Sequence, residues 1–358
     1  MTATMNFAPS IPVSAAADMD YCREAIRTGS RSFHMASKLL PAKVRDPALA
    51  LYAFCRIADD AVDEGDDKAH AVLSLRDRLD MVYQGSPRNA CADRAFARII
   101  EEFDMPRALP EALLEGLAWD AVGRRYDTFS GIMDYSARVA AAVGAMMCVL
   151  MRVRDADALA RACDLGLAMQ LSNIARDVGE DARAGRIYLP LDWLRDEGID
   201  LEAFLADPKP TPEVCGLVKR LLDEATRLYG RSAAGVSLLP LACRPGIHAA
   251  RLIYCGIGGA VARNGHDSVS VRAHTGAGQK IGWLGRALLD TGLHLMRPLP
   301  ATLHAAPAPE VAFLVAAAAQ PRGSFRRSSA VLSVLAQLEA KDRALTTARL
   351  QGLAFPRG

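Results

Sequence analysis

Several things this sequence has little of narrow its reading at once. Aromatic residues make up only 6% of the 358, and no stretch alternates apolar and polar residues for long enough to lay down a sheet. The eight cysteines, at 22, 55, 91, 148, 163, 215, 243 and 255, contain no CxxC pair, and the seven histidines are equally scattered, without HExxH. That excludes a disulfide framework and a zinc site, and the thiols are expected as small core residues in a reducing cytosol. Neither sign of charge prevails: 43 Lys and Arg against 41 Asp and Glu leave a net +2, too little for a nucleic-acid partner. The longest nearly uniform apolar run, Val139 to Met151, is thirteen residues between Arg138 and Arg152. A membrane-spanning helix needs roughly 20, so the run predicts a buried helix of a soluble protein. Met1–Ala17 lacks the basic start of a signal peptide, which points to a cytoplasmic chain. No repeat of 20–50 residues is present, and GxGxxG, GxxxxGK[ST] and GxSxG are all missing, which removes the common nucleotide-binding and serine-hydrolase classes.

What is present is helix-forming. Hydrophobic residues reach 51%, mostly as Ala and Leu, which favour helix over sheet. Apolar spacing predicts helices over about 19–40, 47–64, 69–84, 91–104, 109–126, 131–152, 156–181, 212–236, 247–264 and 278–294. Gly185–Asp207 reads as a loop with short turns, closed by Pro208, Pro210 and Pro212. The chain therefore divides into a flexible N-terminus (1–17), one all-α domain (18–295) and an Ala- and Pro-rich, partly helical tail (296–358). Within 321–358, seven Lys and Arg face only Glu339 and Asp342, giving a basic appendage that either rests on anionic lipid or is simply solvated.

Chemistry has to be sought on the helices. In Leu51–Asp63, residues Tyr52, Arg56, Asp59 and Asp63 share one helical face, while Leu51, Cys55, Ala58 and Val62 form an apolar stripe one position round. In Gln170–Asp181, residues Gln170, Asn173, Asp177 and Asp181 share a face beside the stripe Leu167, Leu171, Ile174 and Val178. Both sets of acids sit on the shoulder of a buried face, as side chains bordering a cavity would. Two Asp four apart on a helix can share a hard divalent cation, which takes oxygen ligands and completes its shell with substrate phosphates. Arg56, Arg176 and Arg186 are placed to take up remaining negative charge. A single DxxxD is most often a solvated face; two matching ladders with interleaved arginines make metal and diphosphate binding the stronger reading.

These residues also carry a family resemblance. Gly29-Ser-Arg-Ser-Phe33, Cys55-Arg-Ile-Ala-Asp-Asp-Ala-Val-Asp63, Tyr135-Ser-Ala-Arg-Val-Ala-Ala-Ala-Val-Gly144 and the long Gln170–Pro190 motif resemble those of the squalene/phytoene synthases, the head-to-head prenyltransferases. The match covers about residues 20–290, and the last motif is the most specific.

The resemblance implies an all-α isoprenoid-synthase fold around a central cavity, with two aspartate-rich helices facing each other at its mouth. It implies metal held by Asp59, Asp60 and Asp63 on one side, with Asp60 pointing further round its helix, and by Asn173, Asp177 and Asp181 on the other. Arg56, Gln170, Arg176, Arg186 and Tyr254 match positions near the diphosphates; Ser30, Arg31 and Ser32 match a segment near one substrate; Arg272 and Lys280 fall where the family places basic contacts. Two or three Mg²⁺ or Mn²⁺ ions per site, geranylgeranyl diphosphate as substrate and no NADPH are implied. Peripheral contact with the inner face of the plasma membrane, or with other carotenoid enzymes, follows from lipid substrates.

Carbocation chemistry requires a dry pocket. Met146, Met147, Leu150, Leu167 and Leu171 are apolar enough to line it or to pack as core. Phe33, Tyr52 and Tyr135 offer ring faces to a cation, although the two tyrosines equally suit a core with one hydrogen bond each. Asp120 either faces the cavity or pairs with Arg124. Among rivals, a squalene synthase would need NADPH, a non-catalytic relative would be expected to have lost ladder acids, and a head-to-tail elongase or terpene cyclase would lack Arg186-Ile-Tyr-Leu-Pro190.

Overall fold

A computed structural model of the chain describes residues 14–29, 31–63, 68–294 and 300–319, without the side chains at 31, 58–63, 68–69 and 294. All regular structure among them is helical. In chain order the α-helices are α1 (Ala15–Gly29), α2 (Arg31–Ser37), α3 (Ala42–Asp63), α4 (Lys68–Tyr83), α5 (Cys91–Phe103), α6 (Ala108–Ala121), α7 (Phe129–Ser136) and α8 (Ala142–Leu150). They continue as α9 (Ala156–Arg183), α10 (Leu191–Asp196), α11 (Leu201–Ala206), α12 (Pro212–Gly235), α13 (Arg244–Arg263), α14 (Ala277–His294) and α15 (Ala312–Ala319).

The longest, α9, has 28 residues and is packed by α12, α13 and α8. Its start is fixed by Asp155, whose Oδ1 accepts from the Ala158 amide at 2.9 Å, satisfying one of the orphan donors of the first turn. Thr211 caps α12 in the same way, with Pro212 at its first position, where a missing N–H costs nothing. The apolar run expected as a buried helix is one: Phe129–Leu150 is long and apolar enough to cross a membrane, yet 67% of its most apolar 18-residue stretch lies buried within the bundle.

That run is not regular. Between α7 and α8 one π-turn, Ala137–Ala141, inserts an extra residue, a device that re-aims side chains within a helix. Gly166 of α9 presses against it, and a Cβ there would stand 2.6 Å from Ala141 Cα. Only glycine allows this approach of helix to backbone.

Other boundaries differ from the sequence pattern. The helix expected over 19–40 begins earlier, at Ala15, and its last helical residue is Ser37; residue 30, between α1 and α2, lies outside the described residues. The helix expected from 47 begins at Ala42 and carries Pro47 inside it. The core also runs past the boundary drawn at 295. Val311, Leu314 and Val315 are buried in the main cluster, and Leu303 is buried as well. Arg161, wholly buried beside Asp164 at 2.8 Å, donates from Nη1 to the Thr302 carbonyl at 2.5 Å. All eight thiols are free, and Cys22, Cys148, Cys163 and Cys243 are buried.

Candidate active site

A cavity of about 310 Å³ opens between α2, α3, α8, α9 and α13. From α9 it takes Ala158, Ala162, Gly166, Met169 and Asn173. These fall at steps of three and four residues, so they lie on one helical face. The same face continues into Asp177 and Asp181. The acid ladder and the cavity wall are thus one stripe, polar at the mouth and small and apolar below. From Asn173 to Ala158 it descends about 22 Å at 1.5 Å per residue. On α3, Ala48, Leu51, Tyr52 and Cys55 line the opposite wall; the backbone of residues 59 and 63 follows one and two turns further along that helix.

At the mouth, Asp177 accepts from Arg176 Nε at 2.7 Å and from Arg272 Nε at 2.8 Å, both at Oδ1. Burial pulls the Asp177 carboxyl upward, but these guanidinium bonds outweigh it and hold the group below the usual carboxylate range. One turn on, Asp181 has the opposite balance. Burial, then the charge of Asp177, push its carboxyl up to about 7 against the pull of Arg186.

Arg272 reaches Asp177 because the loop after α13 lies flat on α9. The loop is turned by Gly265 and His266, both at positive φ, and tied by Asp267 Oδ1, which accepts from the Val269 and Ser270 amides. Its carbonyls then meet α9: Ser268 accepts from the Gly179 amide at 3.0 Å, and Val269 from Arg183 at 2.6 Å. A Cβ at Gly179 would stand 2.5 Å from the Val269 carbonyl oxygen, so the loop sits there only because residue 179 has no side chain.

Beside the mouth, Asp120 accepts two phenol hydrogen bonds, from Tyr188 at 2.8 Å and Tyr135 at 2.9 Å. The two rings stack 5.1 Å apart, with Tyr126 next to them. Arg124, the alternative partner considered for Asp120, has its guanidinium over the Trp119 ring. Burial, then Asp120, raise the Tyr135 hydroxyl well above its ordinary range, so both phenols stay neutral donors. Tyr188 was not singled out by spacing; its place inside Arg186-Ile-Tyr-Leu-Pro190 was the available signal.

The predicted residues divide as follows. Phe33, Tyr52, Met147, Gln170, Asn173 and Tyr254 line the cavity, with Phe33 stacked on Tyr52 at 5.7 Å. Asp177, Arg176 and Arg272 meet directly, and Arg186 lies within electrostatic reach of Asp181. Gly29 packs on Tyr52 and Arg56, a Cβ there falling 2.4 Å from the Tyr52 hydroxyl, so the first two motifs touch. Ser32 is partly buried in α2, and Lys280 lies in the first turn of α14. Ser30 and the side chains of Arg31, Asp59, Asp60 and Asp63 lie outside the described residues. Two expected lining residues are elsewhere. Leu171 is fully buried in the core, since the large apolar stripe of α9 is angled away from the cavity face. Tyr135 belongs to the tyrosine cluster. Met146, Leu150 and Leu167 are likewise fully or almost fully buried core.

Among the described residues no three acidic, His or Cys side chains form a ready metal cluster; Asp177 is occupied by guanidinium groups. The donor set nevertheless suits a hard cation. Asn173, Asp177 and Asp181 supply oxygens along one face, and Asp181 is a half-buried carboxyl whose charge has too little compensation.

An all-helical bundle around an apolar cavity with acids at its rim is the isoprenoid-synthase fold. Solved structures agree. A dehydrosqualene synthase in complex with ligand superposes with a TM-score of 0.72 at 30% identity, covering 77% of this chain and 96% of that one. Squalene synthase HpnC from Alicyclobacillus acidocaldarius gives 0.65 at 26% identity, covering 72% and 97%. In sequence, the squalene/phytoene synthase profile matches residues 26–279. The phytoene synthase of Cereibacter sphaeroides is 66% identical over 352 residues, 96% of this chain and 99% of its own. That of Rhodobacter capsulatus is 62% identical over 334 residues, 92% and 98%. The chain belongs to the squalene/phytoene synthase family.

Proposed function

We propose that this chain is a phytoene synthase. It joins two molecules of geranylgeranyl diphosphate head to head, through prephytoene diphosphate, to phytoene, releasing two diphosphates without a reductant. The observation that carries this is the single face of α9, with Asp177 and Asp181 at its rim and Ala162, Gly166 and Met169 lining the cavity below. A long isoprenoid lies along the lower part while its diphosphate stays at the rim. The relatives named phytoene synthase support the same reading over nearly the full chain.

In this reading Asn173, Asp177 and Asp181, with Asp59, Asp60 and Asp63 of α3, hold Mg²⁺ or Mn²⁺, which neutralises diphosphate charge when bound. Arg176, Arg186 and Arg272 bind the diphosphates through charge-assisted hydrogen bonds that strengthen as negative charge develops on the leaving group. Phe33 and Tyr52 line the cavity and supply π-electrons that would attract a cation there. The apolar wall keeps water from quenching that cation. On this reading the protein works in the cytoplasm, in peripheral contact with membrane.

The test is a product assay with purified protein, Mg²⁺ and labelled geranylgeranyl diphosphate, with and without NADPH. Phytoene formed without NADPH, and lost in EDTA, is the expected result. A reduced hydrocarbon that appears only with NADPH would move the chain to the squalene synthases.

A further inference from the structure

The end of the cavity away from the acid ladder is built unlike the rest of its wall. Its lining there is mostly small or aliphatic, yet it includes Arg161, in the second turn of α9. This side chain is the largest by volume of those wholly buried among the described residues. Burying a guanidinium beside a hydrocarbon pocket is costly, and an aliphatic side chain would fill the space without that cost. Burial lowers the pKa of Arg161 and raises that of Asp164, so both charges are held against their preference for water.

Two sets of contacts hold the Arg161 side chain in place. Within the bundle, its Nε lies 2.8 Å from Asp164 Oδ2. Gly235 of α12 presses on its stem, where a Cβ would stand 2.3 Å from the Arg161 Cβ. The second set comes from residues 300–306, a segment beyond the 26–279 that the family profile matches. Arg161 Nη1 donates to the Thr302 carbonyl at 2.5 Å, and Nη2 lies 3.5 Å from that of Ala306. The segment is itself pinned to the first turn of α9, with His304 Nδ1 2.6 Å from an Asp157 carboxylate oxygen. Arg231 completes the cluster, donating to Asp164 at 3.0 Å and to the Ala306 carbonyl at 2.8 Å, but it is not among the residues lining the cavity. A methionine in place of Arg161 could turn aside for a longer guest. A guanidinium held by a carboxylate and by backbone carbonyls keeps one position.

We infer that Arg161 is the fixed end of the pocket and determines how long a prenyl chain it accepts, and that segment 300–306 serves this specificity by holding the side chain still. The inference rests on the proposed function, since the guest it measures is a prenyl diphosphate with its head at the rim.

The test is calorimetric titration of the full chain, with Mg²⁺, using unreactive thiolo analogues of geranylgeranyl diphosphate and of the homologue one isoprene unit longer. Wild type is expected to bind the longer analogue at least about tenfold more weakly than the shorter. Arg161→Ala leaves Asp164 with Arg231, one anion with one cation, and frees a void continuous with the cavity. It is expected to bring the two affinities within about twofold of each other. Arg161→Leu frees only the space of the guanidinium, is expected to shift the ratio the same way by less, and carries the test if the alanine variant unfolds. Arg231→Ala loosens the same cluster without altering the cavity wall and is expected to keep the wild-type ratio.

An unchanged ratio in both Arg161 variants would overturn the inference. So would an equal shift in Arg231→Ala, because looseness of the cluster, and not the room left by Arg161, would then decide. A wild type that binds both analogues alike would overturn it and leave the proposed function standing. A wild type that binds neither would overturn the proposed function along with it.

Discussion

Arg272 Nε stands 2.8 Å from Asp177 Oδ1, across a separation of 95 residues in the chain. The same nitrogen lies 3.0 Å from a Glu180 carboxylate oxygen. A loop with no regular structure thereby delivers a cation to the rim of the cavity, against the acid on which the proposed chemistry depends. Asp177→Ala is expected to lower turnover by about a thousandfold or more, with the fold intact by circular dichroism. Arg272→Ala removes one of several cations and is expected to raise KM for the prenyl diphosphate about tenfold, or about 1.4 kcal/mol, with a smaller change in kcat. Steady-state kinetics separates the two.

Gly179→Ala tests how that loop is seated. The new methyl group meets backbone, the Val269 carbonyl oxygen, at 2.5 Å, and backbone cannot swing aside as a side-chain tip can. Stability is expected to fall by about 1–3 kcal/mol. KM is expected to move as in Arg272→Ala, because both substitutions displace the same guanidinium. Denaturant unfolding and kinetics on the same sample check both parts.

In the proposed function the prenyl chain lies along the lower half of α9, so the space there would select its length. Ala162 lines the cavity about two turns below Met169, and Ala162→Phe would fill its lower part. Turnover of geranylgeranyl diphosphate is expected to drop tenfold or more, while farnesyl diphosphate, one isoprene unit shorter, is retained. Product analysis by mass spectrometry with each donor decides this, and a uniform loss on both donors would contradict it.

Far from the cavity, Asp18 is almost fully buried and accepts from Arg94 Nε at 3.1 Å and Arg98 Nη2 at 2.8 Å. Burial would raise its carboxyl, yet the hydrogen bonds of the two arginines prevail and hold it below the usual range. A depressed folded pKa means that this stabilisation is complete above the unfolded value, about 3.9, and is lost as pH falls through the folded one. Asp18→Asn leaves two guanidinium groups without their anion and is expected to cost about 3 kcal/mol at neutral pH. Its stability is expected to depend less on pH below about 4 than that of wild type. Urea titrations between pH 3 and 7 give both numbers.

Much of this could be read from residue spacing, and the failures have physical causes. The ladder Gln170, Asn173, Asp177, Asp181 does mark the cavity face of α9. Leu171 misled because a long apolar side chain is the obvious candidate to line a hydrocarbon pocket. The wall is instead made by the small residues of the ladder's own face, Ala162 and Gly166, whose missing bulk is the space. Periodicity identifies a face but says nothing of which apolar stripe fills a core and which stops short of filling it. Resemblance names Arg272 only as a basic contact for diphosphate, and its bond to Asp177 has no sign in the sequence, since no local pattern predicts which helix a loop will lie across. The π-turn at Ala137–Ala141 was equally invisible: one extra residue leaves the apolar composition of the run unchanged. The first acid box, Asp59 to Asp63, is placed by its backbone alone.

The hydrogen bond from Arg161 to the Thr302 carbonyl joins residues 141 apart and sets a timetable for the molecule. Arg161 lines the cavity at the end away from the acid ladder, and the segment that clasps it leaves the ribosome well after α9, which bears that ladder. Until residues 300–319 have docked, the compartment has walls and a mouth but an unsecured floor. Synthesis from the N-terminus therefore secures the reaction vessel at its base only after residues 300–319 have followed the acid ladder out, and a chain stopped at residue 299 would carry the whole ladder above an unsealed floor.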